Sequence, residues 1–222
     1  RALGLKIETI ASVGAYLLEN GPAIPTHNGR RITGTVYKLP EVYQSVRVAF
    51  SNTTPTDSYR GAGRPEAAFI MESLMEEAAK VMDMTPIEMR NLNFIQEEDF
   101  PYTNSQNLAI DSGKFTETMN MAMEKADWDG VESRRAESKR NGKLRGIGLG
   151  YFMESSGGKP EEFGRIRMEA DGSATILVGT FSHGQGHGTA FRQIAHDALG
   201  LPFEKMNFID GSDTAIIPRG HG

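Results

Sequence analysis

Two glycine clusters, each placed between an extended stretch and a helical pattern, constrain this chain more than any other feature of its sequence. The first is Gly61-Ala62-Gly63, just before Pro65, and the second is Gly184-Gln185-Gly186-His187-Gly188, just before Thr189. Glycine lets a backbone approach a ligand closely, and the free N–H groups at a helix start favour an anion. A ligand with a pyrophosphate and a polar ring fits two such loops at once. Each loop is also compatible with a tight turn that binds nothing.

The first fifty residues predict strands. Leu5–Ile10 has β-forming composition, and Arg31–Tyr37 alternates apolar with polar side chains. Val46, Val48 and Phe50 share one face of a further strand.

Three helices are predicted after the first glycine cluster. Apolar residues three and four positions apart mark a helix over Pro65–Met82, with Glu72 on its polar side. Thr85 is the expected N-cap of a helix that runs to about Phe94, and Ser112 that of a third.

A polar, basic run separates these helices from a second set of strands. Residues 131–145 hold six basic and two acidic side chains, a composition typical of a solvated linker or of a nucleic-acid patch. The elements predicted beyond it are a strand at Leu144–Glu154, a hairpin at Arg165–Phe181 with an Asp171-Gly172 turn, a helix at Thr189–Leu199 and a strand at Met206–Ile209.

The predicted fold is α+β, with two sub-domains that each combine a mixed β-sheet with helices packed on one side. We expect a first sub-domain at residues 1–130, a linker at 131–143 and a second sub-domain at 144–222. The chain begins at Arg1, without an initiator methionine or a signal-peptide pattern. We therefore expect an internal fragment of a larger subunit, incomplete at both ends.

Composition excludes several classes of function. The net charge of −5 argues against a nucleic-acid partner. The sequence has no apolar run of about 18 residues, so we expect no membrane contact and a cytoplasmic location. The absence of cysteine excludes disulfides, thiolate metal sites and a cysteine nucleophile within these residues.

The common catalytic and nucleotide fingerprints are missing from the sequence. No Gly-Lys-Ser/Thr tripeptide of a Walker loop occurs, and the dinucleotide pattern fails at Thr189, where its third glycine should stand. His183 and His187 are four apart, but the glycines between them disfavour a helical zinc site. No G-x-S-x-G nucleophile motif is present.

Taken together, the motifs resemble the molybdenum-binding large subunit of the xanthine dehydrogenase, aldehyde oxidase and carbon monoxide dehydrogenase family. Asn52–Ala67, which ends in Tyr-Arg-Gly-Ala-Gly-Arg-Pro-Glu-Ala, resembles the family's loop beside the molybdenum, and Gly179–His187 its G-Q-G-H cofactor loop. Ile209–Thr214 resembles the G-D-T-D stretch that follows. The Gly14–Tyr16 strand, the Thr85-Pro86 helix and the Lys143–Gly150 strand occur in the same order, so the resemblance covers nearly the whole chain.

The resemblance implies a cofactor and a reaction. The cofactor is a molybdopterin with molybdenum, in its cytosine dinucleotide form, and the pterin dithiolene rather than the protein holds the metal. The family hydroxylates aldehydes or aromatic heterocycles with oxygen from water. FAD and iron–sulfur clusters on partner subunits or domains carry the electrons away. We expect those partners, a small-molecule substrate and an oligomer.

The resemblance also assigns site residues. Arg60 and Gln185 are the candidate catalytic residues, with Arg60 at the molybdenum and Gln185 at an oxo group or the pterin edge. The candidate cofactor-binding residues are Gly61, Ala62, Gly184, Gln185, Gly186 and His187. Tyr59 and Phe181 are candidate wall residues, although a core role is equally compatible with each.

Two departures from the family limit these expectations. Members that oxidise carbon monoxide carry a cysteine where this chain has Gly61, so we do not expect carbon monoxide as substrate. The family's general base is a Glu in a G-x-G-E segment that this sequence lacks, and neither Glu66 nor Glu154 takes its place. We therefore expect the isolated chain to be inactive. A non-catalytic phosphate-binding or assembly module and an inactive remnant stay open as alternatives.

Overall fold

The computed structural model describes residues 1–154, 162–211 and 215–217. Its strands are β1 (Leu5–Ser12), β2 (Val42–Ala49), β3 (Tyr102–Thr103), β4 (Ala109–Ile110), β5 (Gly164–Met168), β6 (Ala174–Val178) and β7 (Met206–Ile209). Its α-helices are α1 (Gly29–Arg31), α2 (Arg64–Val81), α3 (Pro86–Asn93), α4 (Phe115–Lys125), α5 (Val131–Arg140) and α6 (His187–Leu199). A π-helix at Ile24–Asn28 and 3₁₀ turns at Glu97–Asp99 and Phe203–Lys205 complete the set.

Contacts divide the chain into two units, residues 1–155 and 156–222. Where the sequence predicts a linker, residues 131–140 form α5. The units divide about ten residues later than the end of the basic run. The two cofactor-binding sub-domains with boundaries at 130 and 144 stay a prediction. No helix in the described part of the chain is long and apolar enough to cross a bilayer.

The first unit packs helices α2, α3 and α4 around an aromatic and methionine core. β1 and β2 form a parallel pair from Leu5↔Val42 to Ser12↔Ala49, and β3 and β4 form a short antiparallel pair. Tyr37 and Phe94 stack in the core with ring centroids 5.5 Å apart. The buried core residues are Val36, Tyr37, Leu39, Met71, Met75, Ala79, Met89, Phe94 and Met119.

Local signals explain the helices of this unit. Pro65 occupies the first turn of α2, where its missing N–H is not needed. The Thr85 side chain and Glu88 form a reciprocal capping box at the start of α3. The prediction that Ser112 caps α4 is wrong, because Lys114 is the N-cap and the Ser112 hydroxyl donates to Asp111 instead.

Three predicted strands of this unit are also wrong. Residues 14–16 lie after the end of β1 and include a bend, with a φ of 82° at Gly14. Residues 32–36 form consecutive turns, and Gly34 and Thr35 have φ values of 98° and 47°, which a strand does not tolerate. Tyr37 makes one isolated bridge, to Phe94. Residues 144–154 form no regular structure, although Leu149 and Tyr151 pack against the core.

The second unit is a three-stranded sheet with one helix packed on it. β5 and β6 form the predicted hairpin around Asp171-Gly172, and β6 pairs with β7 in parallel. Helix α6 connects the two parallel strands, as a parallel pair requires. Ala174, Ile176, Val178, Ala195 and Met206 form the buried core. Both units mix helices with few strands, which confirms the predicted α+β class.

Candidate functional site

The second glycine loop lies at the carboxyl edge of the second sheet. It begins where β6 ends at Val178 and finishes at Gly186, the N-cap of the 13-residue helix α6. Because β6 and β7 are parallel, their carboxyl ends meet at this same edge. A loop at the carboxyl end of a strand, followed by a helix N-terminus, is where α/β sheets bind phosphate ligands.

The glycines of this loop leave open space rather than fill it. Gly184 and Gly186 have φ values of 106° and 78°, which other residues rarely adopt. No heavy atom lies within 4 Å of the position a Cβ would take at either residue. The backbone N–H groups of residues 184–188 donate no hydrogen bond within the described residues. The loop therefore presents unused donors beside open space.

His187 contributes a buried polar atom to the same place. Its Nδ1 is inaccessible to solvent and has no hydrogen-bond partner among the described residues. The ring packs edge-on against Phe191, with centroids 5.5 Å apart, at the start of α6. An unpaired buried nitrogen costs free energy unless a ligand or water satisfies it, so its environment fits a polar ligand.

The other predicted side chains of this loop are at the surface. Gln185 is exposed, and its Oε1 accepts a hydrogen bond from the His183 N–H. The Phe181 and His183 rings lie 5.0 Å apart, and both residues are exposed. Within the described residues, no group of three or more His, Cys, Asp or Glu side chains converges to hold a metal ion.

Residues after β7 close one side of the loop. A Cβ on Gly211 would lie 2.5 Å from the Gly179 carbonyl oxygen, so this backbone contact requires glycine. The Ser182 N–H donates to Asp210 Oδ2 at 3.4 Å. The tertiary structure thus brings the start of the predicted G-D-T-D stretch to the G-Q-G-H loop; its residues 212–214 lie outside the described residues.

The first glycine loop differs, because its glycines are explained by the protein's own packing. Gly61, Ala62 and Gly63 have successive φ values of 95°, 40° and 98°. A Cβ on Gly61 would lie 2.7 Å from the Pro65 ring, and one on Gly63 would lie 2.3 Å from the Ile24 carbonyl oxygen. These contacts are consistent with a tight turn, and they do not by themselves require a ligand.

Arg60 directly precedes this turn, and its side chain is available to bind a ligand. It is exposed, and its guanidinium has no partner among the described residues. The neighbouring Tyr59 is 86% exposed and is therefore not a core residue in this unit. Arg64, by contrast, donates to the Gly61 carbonyl oxygen and forms an ion pair with Glu154. The two candidate loops belong to different units of the chain.

Sequence reasoning missed a buried polar cluster in the first unit. Glu72, predicted on the polar side of α2, is 8% exposed and accepts hydrogen bonds from Arg90 and from the Tyr37 hydroxyl. Burial, followed by the hydrogen bond to Glu72, raises the pKa of Tyr37 far above its usual range, so its hydroxyl stays a donor. The helical pattern alone contained no signal for this, since Arg90 lies in another helix.

Two family models match the chain, and both describe a molybdopterin cofactor-binding domain. The first matches residues 1–94 and the second residues 121–222. Together they include both glycine loops.

Curated proteins with similar sequences include the large subunits of a hydroxylase and of a dehydrogenase. The nicotine 6-hydroxylase large subunit of Paenarthrobacter nicotinovorans is 32% identical over 228 residues, covering 96% of this chain and 28% of that protein. The carbon monoxide dehydrogenase large chain of Hydrogenophaga pseudoflava is 30% identical, covering 100% of this chain and 30% of that protein.

Solved structures of similar fold agree with these relatives. Quinoline 2-oxidoreductase from Pseudomonas putida 86 matches with a TM-score of 0.82 and 30% identity, over 93% of this chain and 28% of that chain. The Cu,Mo-CO dehydrogenase matches with a TM-score of 0.82 and 27% identity, over 98% of this chain and 30% of that chain. The chain therefore spans less than a third of the length of these relatives.

Proposed function

Because this chain belongs to the family of molybdopterin cofactor-binding subunits of molybdenum oxidoreductases, we propose that its loop at residues 184–188 holds the phosphate end of the cofactor. The observation that carries the proposal is the row of unused N–H donors around two open glycines at the start of α6. A pyrophosphate needs many donors and a favourable dipole, and this loop supplies both without a cationic side chain.

Each residue of the loop has a role in this proposal. Gly184 and Gly186 keep the backbone free of side chains, so that the ligand reaches the amides. His187 offers its buried Nδ1 to a polar group of the cofactor. Gln185, which is exposed, turns its amide from the His183 N–H towards the cofactor edge.

The first loop has a different proposed role. Arg60, with its exposed guanidinium unpaired among the described residues, lies at the molybdenum end of the cofactor and favours negative charge there. Gly61 and Ala62 shape the turn that presents Arg60, since their positive φ values reverse the backbone between residue 60 and α2. When bound, the molybdenum of the cofactor supplies the redox chemistry of the hydroxylation.

The proposed activity of the whole protein is hydroxylation of an aldehyde or an aromatic heterocycle with oxygen from water. Two similar proteins are named for nicotine and quinoline, both nitrogen heterocycles. Gly61 replaces the copper-binding cysteine expected of a carbon monoxide-oxidising member, which argues against that gas as the substrate. The cytosine dinucleotide form of the cofactor, and partners that carry FAD and iron–sulfur clusters, complete the proposal.

The loop assignment is tested by titrating the chain with inorganic pyrophosphate and with cytidine diphosphate while amide shifts are followed by NMR. We expect the largest changes at Gly184, Gly186 and Gly188. Gly186→Val should abolish them, because it adds a side chain where the ligand must approach. Gly200→Val is the matched control: Gly200 ends the same helix with a φ of 68° and similarly open space.

The two variants show whether the loop at residues 184–188 binds the phosphate ligand. Loss of binding in Gly186→Val but not in Gly200→Val supports the loop, whereas equal binding by both variants contradicts it. Molybdenum analysis of the assembled protein then separates an oxidoreductase from a non-catalytic phosphate-binding module, which shares the loop but predicts no molybdenum.

A further inference from the structure

The first unit contains a cavity that the loop at residues 184–188 does not explain. Its volume is about 470 Å³, and it lies between β1, the π-helix and the start of α2. This volume is within the usual range for small-molecule sites. Its apolar lining is formed by Ile7, Ile10, Ala11, Ile24, Ala67 and Ile70. Ile10 is 70% exposed, so the cavity opens to solvent on that side.

Backbone contacts hold the walls of this cavity in place. A Cβ on Gly29 would lie 2.9 Å from the Gly63 carbonyl oxygen, so α1 and the start of α2 touch through backbone atoms. A Cβ on Gly21 would lie 2.5 Å from the Thr56 carbonyl oxygen. All four residues lie at the cavity or directly line it. The site is therefore largely formed before any ligand arrives, which lowers the entropic cost of binding.

The charge of the lining has one sign. Asp57 and Glu66 are its ionisable residues, and no Lys, Arg or His lines it among the residues described. Asp57 accepts hydrogen bonds from the Asn20 and Ser58 N–H groups. Glu66 has no partner among the described residues. Two carboxylates beside an apolar wall disfavour an anion and attract a cation.

The chemistry of the lining also selects the kind of cation. A metal ion needs three or more converging ligands, and no such group exists in the described part of the chain. The apolar area instead suits a ring, while Thr33 and Gln44 offer polar atoms beside it.

We propose that this cavity, between β1 and α2, is a binding site for a small organic cation that carries an apolar ring. Its apolar wall takes the ring, and Glu66 and Asp57 face the positive charge. The proposal does not rest on the loop at residues 184–188, because every lining residue lies between positions 7 and 70. It shares one residue, Gly63, with the first glycine loop.

The test uses the 222-residue chain and three probes: benzyltrimethylammonium, benzyl alcohol as a neutral ring, and phenylacetate as an anionic ring. Calorimetry measures affinity, and NMR follows the Gly29 and Gly63 amides. We expect the cation to bind most tightly and to shift both amides, and phenylacetate to bind at least about tenfold more weakly. Equal or tighter binding of phenylacetate overturns the proposal, as does the absence of amide shifts with the cation.

Two variants separate charge from shape. Glu66→Gln should weaken binding of the cation about fivefold without changing that of benzyl alcohol. Glu77→Gln, on the exposed face of the same helix and outside the cavity, should change neither. Ala67→Leu should fill the cavity and reduce binding of both. If Glu66→Gln binds the cation as tightly as the unchanged chain, Glu66 does not bind the positive charge and that part of the proposal is wrong. This outcome does not depend on whether Ala67→Leu folds.

Discussion

The guanidinium of Arg90 lies against the carboxylate of Glu72, with Nε and Nη2 3.0 and 2.9 Å from Oε2. Arg90 is 0% exposed, and its Nη2 also donates to the Leu149 carbonyl oxygen at 3.0 Å. The Tyr37 hydroxyl donates to the second oxygen of Glu72 at 2.5 Å. One buried arginine therefore joins α2, α3 and the segment that follows α5.

Arg90→Met should be strongly destabilising, because it leaves the Glu72 carboxylate buried without its counter-charge. We expect a loss of about 3–5 kcal/mol in the free energy of unfolding, measured by urea denaturation. Lys80→Met, which removes an exposed partner of Glu77, should leave the unfolding midpoint unchanged.

A double variant tests the cause of that loss. Adding Glu72→Leu to Arg90→Met removes the unpaired charge and should restore part of the stability. If adding Glu72→Leu lowers the free energy of unfolding as much in Arg90→Met as it does in the unchanged protein, the two residues do not act as a pair.

Gly63→Ala should destabilise the first unit by at least about 2 kcal/mol, because the new Cβ would collide with the Ile24 carbonyl oxygen at a φ of 98°. Gly148→Ala is the control, since a Cβ at Gly148 meets no atom within 4 Å and its φ is not positive. Thermal unfolding monitored by circular dichroism compares the two. Similar midpoints would contradict the packing explanation of the first loop.

Arg60→Ala should leave stability within about 0.5 kcal/mol of the unchanged protein, because the side chain is exposed and has no partner among the described residues. The proposed role of Arg60 predicts that the same change in the assembled, molybdenum-loaded protein lowers turnover by more than tenfold, because the positive charge proposed to lie beside the cofactor is lost. Arg47→Ala, another exposed arginine, serves as the control. Unchanged turnover at normal molybdenum content would make Arg60 an ordinary surface residue.

The capping box of α3 makes a pH-dependent contribution to stability. Hydrogen bonds from the Thr85 N–H and hydroxyl, each 2.8 Å from Glu88 Oε2, lower the pKa of Glu88 below its usual value. Because the folded-state pKa is below the unfolded one, this contribution is present above the unfolded pKa. It is lost as the pH falls through the folded pKa.

Thr85→Ala should therefore raise the pKa of Glu88 towards its ordinary value, as measured by NMR titration of the side-chain carboxyl. Thr118→Ala, in α4, should leave that pKa unchanged, because Thr118 donates to the Lys114 carbonyl oxygen. An unshifted Glu88 pKa in Thr85→Ala would show that the bond from the Thr85 hydroxyl does not form in solution.

The β1–β2 pair should make the isolated chain self-associate. It is a two-stranded parallel sheet, and exposed apolar side chains lie on or beside it, among them Ile10, Tyr43 and Phe50, at 70%, 58% and 65% exposure. Ile10→Lys should shift size-exclusion elution towards the monomer, whereas Lys6→Gln should not. A chain that elutes as a monodisperse monomer before any substitution would contradict this prediction.

The elements that the sequence predicted well are those with local signals. Pro65 and the Thr85–Glu88 box mark helix starts, and Asp171-Gly172 marks a hairpin, because each signal acts within one turn of the backbone. The ordered set of motifs likewise identified the family, which the matching domain models confirm. The roles of Arg60, Gln185 and the other loop residues stay predictions.

Tertiary structure decided what depends on residues far apart in the chain. Alternation over Arg31–Tyr37 resembled a strand, but these residues turn and bury Ile32 and Val36 against other elements. Glu72 lies at a polar position of its helix, yet it is buried, because Arg90 and Tyr37 donate hydrogen bonds to its carboxylate. The two glycine loops had one sequence pattern. Only the fold shows that Gly63 must be glycine because of its contact with Ile24, whereas Gly186 faces open space. A sequence pattern gives the spacing of residues along the chain, but it does not show which residues from elsewhere in the chain pack against them.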